Sequence, residues 1–345
     1  HRDRALSLYE IEDEAHYRAL EQARAVALTD DARQLTALAI AATRADILCL
    51  QEVDNLAALK AFEYGYLFKM IGNGYREKYS ASGNDSRGID VAVMMRPATA
   101  HGQPIEFERM TSHAHLTFSD LDLHNDALAE LGIEPQDRLF RRDCLELDIK
   151  VGGRPMTLYV VHFKAMSPPR NGMDGRSASM PVRMAEAAAV RRIIEERFGG
   201  ADRASTKRWV ICGDLNDYRE RLVITGEAHE GYRFEPVQET LSSINTLTAG
   251  GFCENLVERR PEMDRWTLYH TRGPEERHLC QLDYLLASKA LAERNPRAIP
   301  EIIRSGQPWR TVFPPEQEVS RFPRVGWDRP KASDHCPVVV QLDIT

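Results

Sequence analysis

At 345 residues, with 43% hydrophobic and 28% charged side chains, the chain can fill one large α/β domain or two ordinary ones, and it is too apolar for disorder. No run approaches the roughly 20 apolar residues of a transmembrane segment, and no apolar signal core follows His1. A net charge of −7 argues against a general polyanion-binding surface, although a cluster of metal-binding carboxylates adds negative charge itself and local basic patches still guide phosphates.

Residues 14 to 44 read as helical, with an Asp-rich break near Thr29 to Asp31 that could cap a second half carrying Leu35, Leu38, Ala39 and Ala42 at helical spacing. Ala45 to Val53 is a short apolar run ending in Gln51 and Glu52, the form of a strand covered on both faces. Asn55 to Met70 reads as a second amphipathic helix, and Gly72 to Ser86 as an exposed loop. Gly88 to Met95 is a strand stopped by Pro97. Residues 100 to 138 carry no assigned chemistry.

Asp143 to Val151, Gly152 and Gly153, then Pro155 to Phe163 have the form of a β-hairpin with a glycine turn. A loop rich in Pro, Gly, Ser and Arg follows, and Pro181 is expected to open a helix to about Phe198. Trp209 to Cys212 is a buried strand, and Gly213 lets the backbone turn as it ends. Trp266 to His270 and Leu279 to Ala287 alternate like paired strands, residues 295 to 332 form an irregular surface segment, and Cys336 to Asp343 is the last strand. No internal repeat or composition break separates domains, so residues 1 to 345 are read as one. Early helix–strand alternation and later hairpins suit an α/β fold of two mixed sheets packed face to face with outer helices.

The six cysteines form no CxxC pair, and four fall in expected strands, so they read as buried apolar residues of a reduced protein. They favour a cytoplasmic location slightly. Secretion stays open, because a chain beginning with His has been cut or is only partly represented.

Polar residues recur where the strands end: Gln51 with Glu52, His162, Asp214 with Asn216, Asp283, and Asp334 with His335. An Asx turn closing a strand explains any one of them. Five together need coincidence, and a carboxylate–imidazole–amide set is what metal-assisted phosphoester hydrolysis requires. Asp283 also lies inside the apolar run Leu279 to Leu286, where an unpaired carboxylate is costly, so it needs a buried partner.

Five segments carry a resemblance: Ala45 to Val53, Val161 to Lys164, Cys212 to Asp217, Gln281 to Leu286 and Ser333 to Val338. In this order they resemble the endonuclease/exonuclease/phosphatase superfamily, with the DNase I-like four-layered sandwich. The resemblance implies that Glu52 ligates Mg²⁺ (or Mn²⁺) and that Asp334 helps hold the metal or its water. It implies that His335 acts as general base or polarises the phosphate, with Asp283 orienting it. Asp214 would position the attacking water or protonate the leaving oxygen, Asn216 would bind a phosphoryl oxygen, and His162 would donate to the phosphate.

Arg87 and Arg141/Arg142 lie where the family often carries substrate contacts, and arginine binds phosphate oxygens bidentately. Arg170, Arg176, Arg183, Arg191 and Arg192 could guide a polyanion, or could line a solvated loop and helix face. The family's first strand, ending in a metal-site asparagine, has no counterpart before His1. The implied activity is a metal-dependent phosphodiesterase acting on DNA or RNA as a monomer. A phospholipid or small-phosphoester hydrolase is the alternative, and a catalytically idle binding module is the reading of another class.

Overall fold

Asp13 accepts the N–H of His16 at 2.8 Å and caps helix α1 (Glu14–Thr43), which ends where Arg44 turns left-handed. This is a computed structural model, and it describes residues 13–166, 174–273 and 275–344. The expected break at Thr29 to Asp31 is absent. Asp30 accepts from Gln34 and Tyr66, and Asp31 pairs with Arg324 at 3.2 Å, so these acids tie the helix to its surroundings instead of capping it. Asn55 caps helix α2 (Leu56–Phe62), which runs on through one π-helical turn to Ile71.

Strands β1 (Ile47–Val53), β2 (Glu77–Ser80) and β3 (Asp90–Met95) make an antiparallel sheet in the order β1-β3-β2. β2 lies in the stretch expected to be an exposed loop. Its pairing with β3, and the stacking of Tyr79 on Phe107 at 4.3 Å, override a locally polar sequence.

The larger sheet is built from β4 (Ile105–Ser112), β5 (Cys144–Val151), β6 (Arg154–His162), β7 (Trp209–Asp214), β10 (Cys253–Asn255) and β13 (Asp283–Ser288), in the order β10-β13-β7-β6-β5-β4. The glycine-turned hairpin is β5–β6. A four-stranded ribbon holds β8 (Glu220–Thr225), β9 (Arg233–Gln238), β11 (Leu268–Thr271) and β12 (Arg277–Cys280), in the order β11-β12-β8-β9.

Strand alternation then assigns the layers. Val91, Val93 and Met95 of β3 meet Leu145, Leu147, Ile149, Leu158, Val160 and Cys212 across one core, so the two sheets pack face to face. The opposite face of β3, Ala92 and Met94, packs on Ala37, Ile40 and Leu59 of the first helices. The opposite face of the larger sheet, Tyr159, Val161, Trp209 and Ile211, packs on Val182, Ala189 and Ile193 of helix α3 (Gly175–Phe198). The four-layered α/β arrangement is as the sequence predicts.

Three further expected elements differ. Helix α3 begins at Gly175, because Asp174 accepts the N–H groups of Arg176 and Ser177, and Pro181 therefore lies inside it. The run Leu279 to Ala287 is two strands in two sheets, split at Gln281 and Leu282. Of the last expected strand only Val338–Val339 (β15) pairs, with Glu301–Ile302 (β14), while Val340 and Leu342 pack against the core between the sheets.

The ribbon buries His278 in β12, stacked on its cross-strand neighbour His270 at 4.7 Å. Burial first, and then the charges of His270, Arg221 and Arg272, push His278 down to about 3. A depressed imidazole pKa means that the unfolded chain binds the proton first. Stability is therefore intact above the unfolded value near 6.5 and falls as pH drops toward 3. Between pH 7 and pH 4.5 this one group should remove on the order of 3 kcal/mol. Urea denaturation at the two pH values should show that loss in the wild type and a clearly smaller one in His278→Phe; equal losses would exclude His278 as the source.

Candidate active site

Three neighbouring strands of the larger sheet bring the residues predicted from their polar ends into one row. β6 and β7 run parallel, so their ends lie side by side and His162 pairs with Asp214. β13 runs antiparallel to β7, so its first residue, Asp283, pairs with Asp214 from the other side. Directly opposed residues project to the same face about 5 Å apart. That face is the one carrying Val160, Cys212 and Leu285, so the row points toward the three-stranded sheet.

The fourth member arrives from a distant segment. Cys336 N–H donates to the Thr267 carbonyl at 2.7 Å, and the Thr267 hydroxyl accepts from the N–H groups of Leu282 and Asp283. Thr267 thus ties the 333–336 turn to the start of β13. Within that turn His335 N–H donates to the Ser333 hydroxyl at 3.1 Å.

The result is a connected polar group. His335 Nδ1 lies 2.9 Å from Asp283 Oδ2, and its Nε2 lies 4.0 Å from Asp214 Oδ2. His162 Nε2 is 3.4 Å from the same Asp214 oxygen. Asn216 donates to Asp214 through both its backbone N–H (2.7 Å) and its side-chain amide (2.9 Å), and from that amide also to the Phe163 carbonyl at 3.1 Å. Asp214 and Asn216 are buried, His335 is partly exposed, and His162 is 4% exposed with its Nδ1 lacking a hydrogen-bond partner among the described residues.

Charge follows from this packing. Burial works against the His335 cation, but Asp283, then Asp214 and Asp334, outweigh it and raise its pKa to about 10. Burial likewise opposes the Asp214 anion, yet the hydrogen bond from His162 and the charges of His335 and His162 hold its pKa below the usual carboxylate value.

Glu52, next to last in β1, sits with φ +57° inside the irregularity of the β1–β3 ladder between Leu50 and Val53, and is exposed. Its neighbour Gln51 reaches Gly213, its amide nitrogen 3.2 Å from where a Cβ on that glycine would stand. Asp334 is exposed on the 333–336 turn. Both carboxylates are hard oxygen donors open to solvent, as a cation that keeps most of its water requires. Among the described residues no group of three or more His, Cys, Asp or Glu is arranged to hold a metal ion.

The two arginines form a relay. Arg87 Nε is 3.1 Å from Asp85, and Arg142 Nε is 2.9 Å from the other Asp85 oxygen. Arg142, 3% exposed, donates to the Phe163 carbonyl that Asn216 also uses, and Glu52 adds to the field on Arg87. Arg141 offers its backbone N–H inward, to Glu186.

The arginines expected to guide a polyanion are used internally. Arg176 and Arg183 are buried, and Arg191 and Arg192 donate to the carbonyls of Thr246, Ala249 and Leu121. Arg170 lies outside the described residues.

Two supporting acids escaped the sequence reading. Asp217, wholly buried, accepts from Arg176, Tyr218 N–H, both Ser242 and Ser243 hydroxyls and Ser243 N–H, which fixes the turn after Asn216. Glu186, also wholly buried, accepts the N–H groups of Arg141 (3.1 Å) and Lys164 (2.7 Å), joining the loops that precede β5 and follow β6. Burial raises its pKa against those donations and the nearby Arg142 and Arg141 charges. Its position was legible, since it stands on the stripe Val182, Ala185, Ala189, Val190 and Ile193 where an acid is costly.

The sandwich thus brings a buried carboxylate and two imidazoles together at its strand ends. The model of the Endonuclease/Exonuclease/phosphatase family matches residues 22–335, and the chain belongs to that family. A search of curated proteins gave no match. Among solved structures, the chain is similar to truncated Caenorhabditis elegans TDP2 at 15% identity, with 90% of each chain covered and a TM-score of 0.48. It is similar to a family member from Bacteroides thetaiotaomicron at 13% identity, covering 91% of this chain and 89% of that one, TM-score 0.49. It is also similar to the human Nocturnin catalytic domain at 15% identity, covering 79% and 77%, TM-score 0.45.

Proposed function

We propose that the protein is a metal-dependent phosphodiesterase that cleaves nucleic acid by attack of water on phosphorus. The observation that carries this reading is the His335–Asp283 pair set beside Asp214, with His162 and Asn216 on the same carboxylate.

The charge states divide the labour. With its pKa near 10, His335 is an imidazolium at neutral pH, a donor to a phosphoryl oxygen and no proton acceptor. Asp214, kept anionic, is the group that orients the attacking water and takes its proton. Asn216, held in a left-handed conformation at φ +48°, and His162 steady the Asp214 carboxylate, and each donates to a phosphoryl oxygen by exchanging one of its present bonds. Arg142 steadies this arrangement through Phe163, and Arg87 is the exposed cation available to a neighbouring phosphate. Glu52 and Asp334 are the residues that would hold Mg²⁺ (or Mn²⁺), which when bound neutralises phosphate charge and polarises the ester.

Incubating the purified protein and Mg²⁺ with plasmid, RNA, phospholipid and bis-p-nitrophenyl phosphate tests the substrate class. Cleavage of plasmid or RNA that EDTA abolishes is the expected result. Intact polynucleotide alongside released lipid headgroup would replace this reading with the phospholipid one, and no turnover of any substrate would leave a binding module.

A further inference from the structure

Of the four tryptophans, Trp209 and Trp266 are buried, whereas Trp309 and Trp327 are 52% and 72% exposed. Single exposed apolar residues are ordinary. These two are paired and braced. Trp309 N–H donates to the Gly326 carbonyl at 3.0 Å and Arg310 N–H to the Trp327 carbonyl at 2.9 Å, so the two indoles stand on adjacent, hydrogen-bonded segments.

The Arg321 guanidinium lies 4.6 Å from the Trp309 ring centre and 4.7 Å from that of Phe313, and its side chain is 2% exposed. A buried cation therefore fixes one side of Trp309 while half of the residue stays in solvent. Gly326 allows the close turn, since a Cβ there would stand 2.1 Å from the Arg329 carbonyl oxygen.

This segment is bolted to the catalytic turn. Gln307, 3% exposed and two residues before Trp309, donates to the carbonyls of both Ser333 and Asp334 at 3.3 Å. Ala332 N–H donates to the Gly306 carbonyl at 3.1 Å. The same segment carries exposed Arg329 and partly exposed Lys331, with Arg310 held to Asp328 at 2.9 Å. Flat aromatic faces with cations, fastened to a site that handles phosphodiesters, complement a chain of alternating phosphates and bases.

We propose that Trp309 and Trp327 form a stacking platform that binds unpaired bases of single-stranded nucleic acid while a phosphate of the same strand lies at His335. The proposal rests on the phosphodiesterase reading above. In a duplex the bases already stack on one another, so the platform selects single-stranded or frayed substrate.

The test compares a short DNA strand with a strand of the same length built from abasic residues, which keeps the phosphates and removes the bases. Wild-type kcat/KM should favour the base-bearing strand tenfold or more, mainly through KM. Trp309→Leu and Trp327→Leu should each lower that preference roughly tenfold, and Trp327→Phe should restore most of it. An unchanged preference in the double leucine variant overturns the proposal.

If the wild type cleaves neither strand, the nuclease reading fails by itself. Indole fluorescence of the His335→Ala protein then decides the platform: quenching by the base-bearing strand alone supports it, and equal quenching by both strands or by neither overturns it. A blue shift on phosphatidylcholine vesicles without quenching by the oligonucleotide likewise overturns it, in favour of a membrane surface.

Discussion

Replacing His335 by alanine should lower the rate of phosphodiester hydrolysis about a hundredfold or more, with little change in KM. The substitution removes the donor aimed past Asp214 and leaves the partly buried Asp283 carboxylate without its 2.9 Å partner. Some stability is lost with the pair, so a thermal melt must accompany the kinetics and confirm that the variant is folded at the assay temperature. The pH profile then separates donor from base. An imidazolium that must stay protonated loses activity as pH rises through its pKa, so kcat should decline toward pH 10, where Asp283, Asp214 and Asp334 hold it. Asp283→Asn removes the largest favourable charge, and the alkaline limb should move to lower pH while the rate falls less than in His335→Ala. A wild-type rate that climbs steadily through this range would make His335 the base, and would move the donor role to His162 and Asn216.

How much of this was legible in the sequence depends on whether a residue's neighbours are local. The hairpin around Gly152 and Gly153 and the strands β1 and β3 are set by short-range pattern and stand where the pattern puts them, although β1 buries only Leu48 and so falls short of the cover on both faces that its apolar run implied. Helix α3 begins six residues before Pro181, because the Asp174 cap supplies the stronger start signal, and proline therefore stands nearly two turns inside the helix. The split of Leu279 to Ala287 between two sheets could not be read locally, since Thr267, a residue from another segment, captures the N–H groups at the break. The polar strand ends were visible one by one. Their assembly was not, because the His162–Asp214–Asp283 row follows from strand order, which no local pattern encodes. Asp217 was harder still, and Glu186 showed its position, an acid on an apolar helix stripe, but not its role. Each stabilises backbone N–H groups of the site loops, a role that marks a residue only once those loops are in place.

Gly213→Ala should be among the most destabilising single substitutions in the protein. Gly213 sits at φ +141°, a conformation that residues with a side chain rarely adopt. A Cβ there would stand 1.9 Å from the Val161 carbonyl oxygen and 3.0 Å from the Val161 carbon. Val161 is its register partner on β6, so the clash is with backbone and no rotamer change relieves it. Relief requires β6 and β7 to move apart just before His162 and Asp214, whose pairing follows one residue later. The expected cost is on the order of 3–5 kcal/mol, seen in a chain of this length as a fall of roughly 5 °C in Tm. Activity should fall further than stability explains, because at a temperature where the variant is still folded the His162–Asp214 distance has changed. Gly88→Ala is the control: its φ is +72°, but a Cβ meets nothing within 4 Å, so it carries strain without the clash. If Gly213→Ala loses no more Tm than Gly88→Ala and keeps full activity, the close crossing of β6 and β7 does not set the position of Asp214.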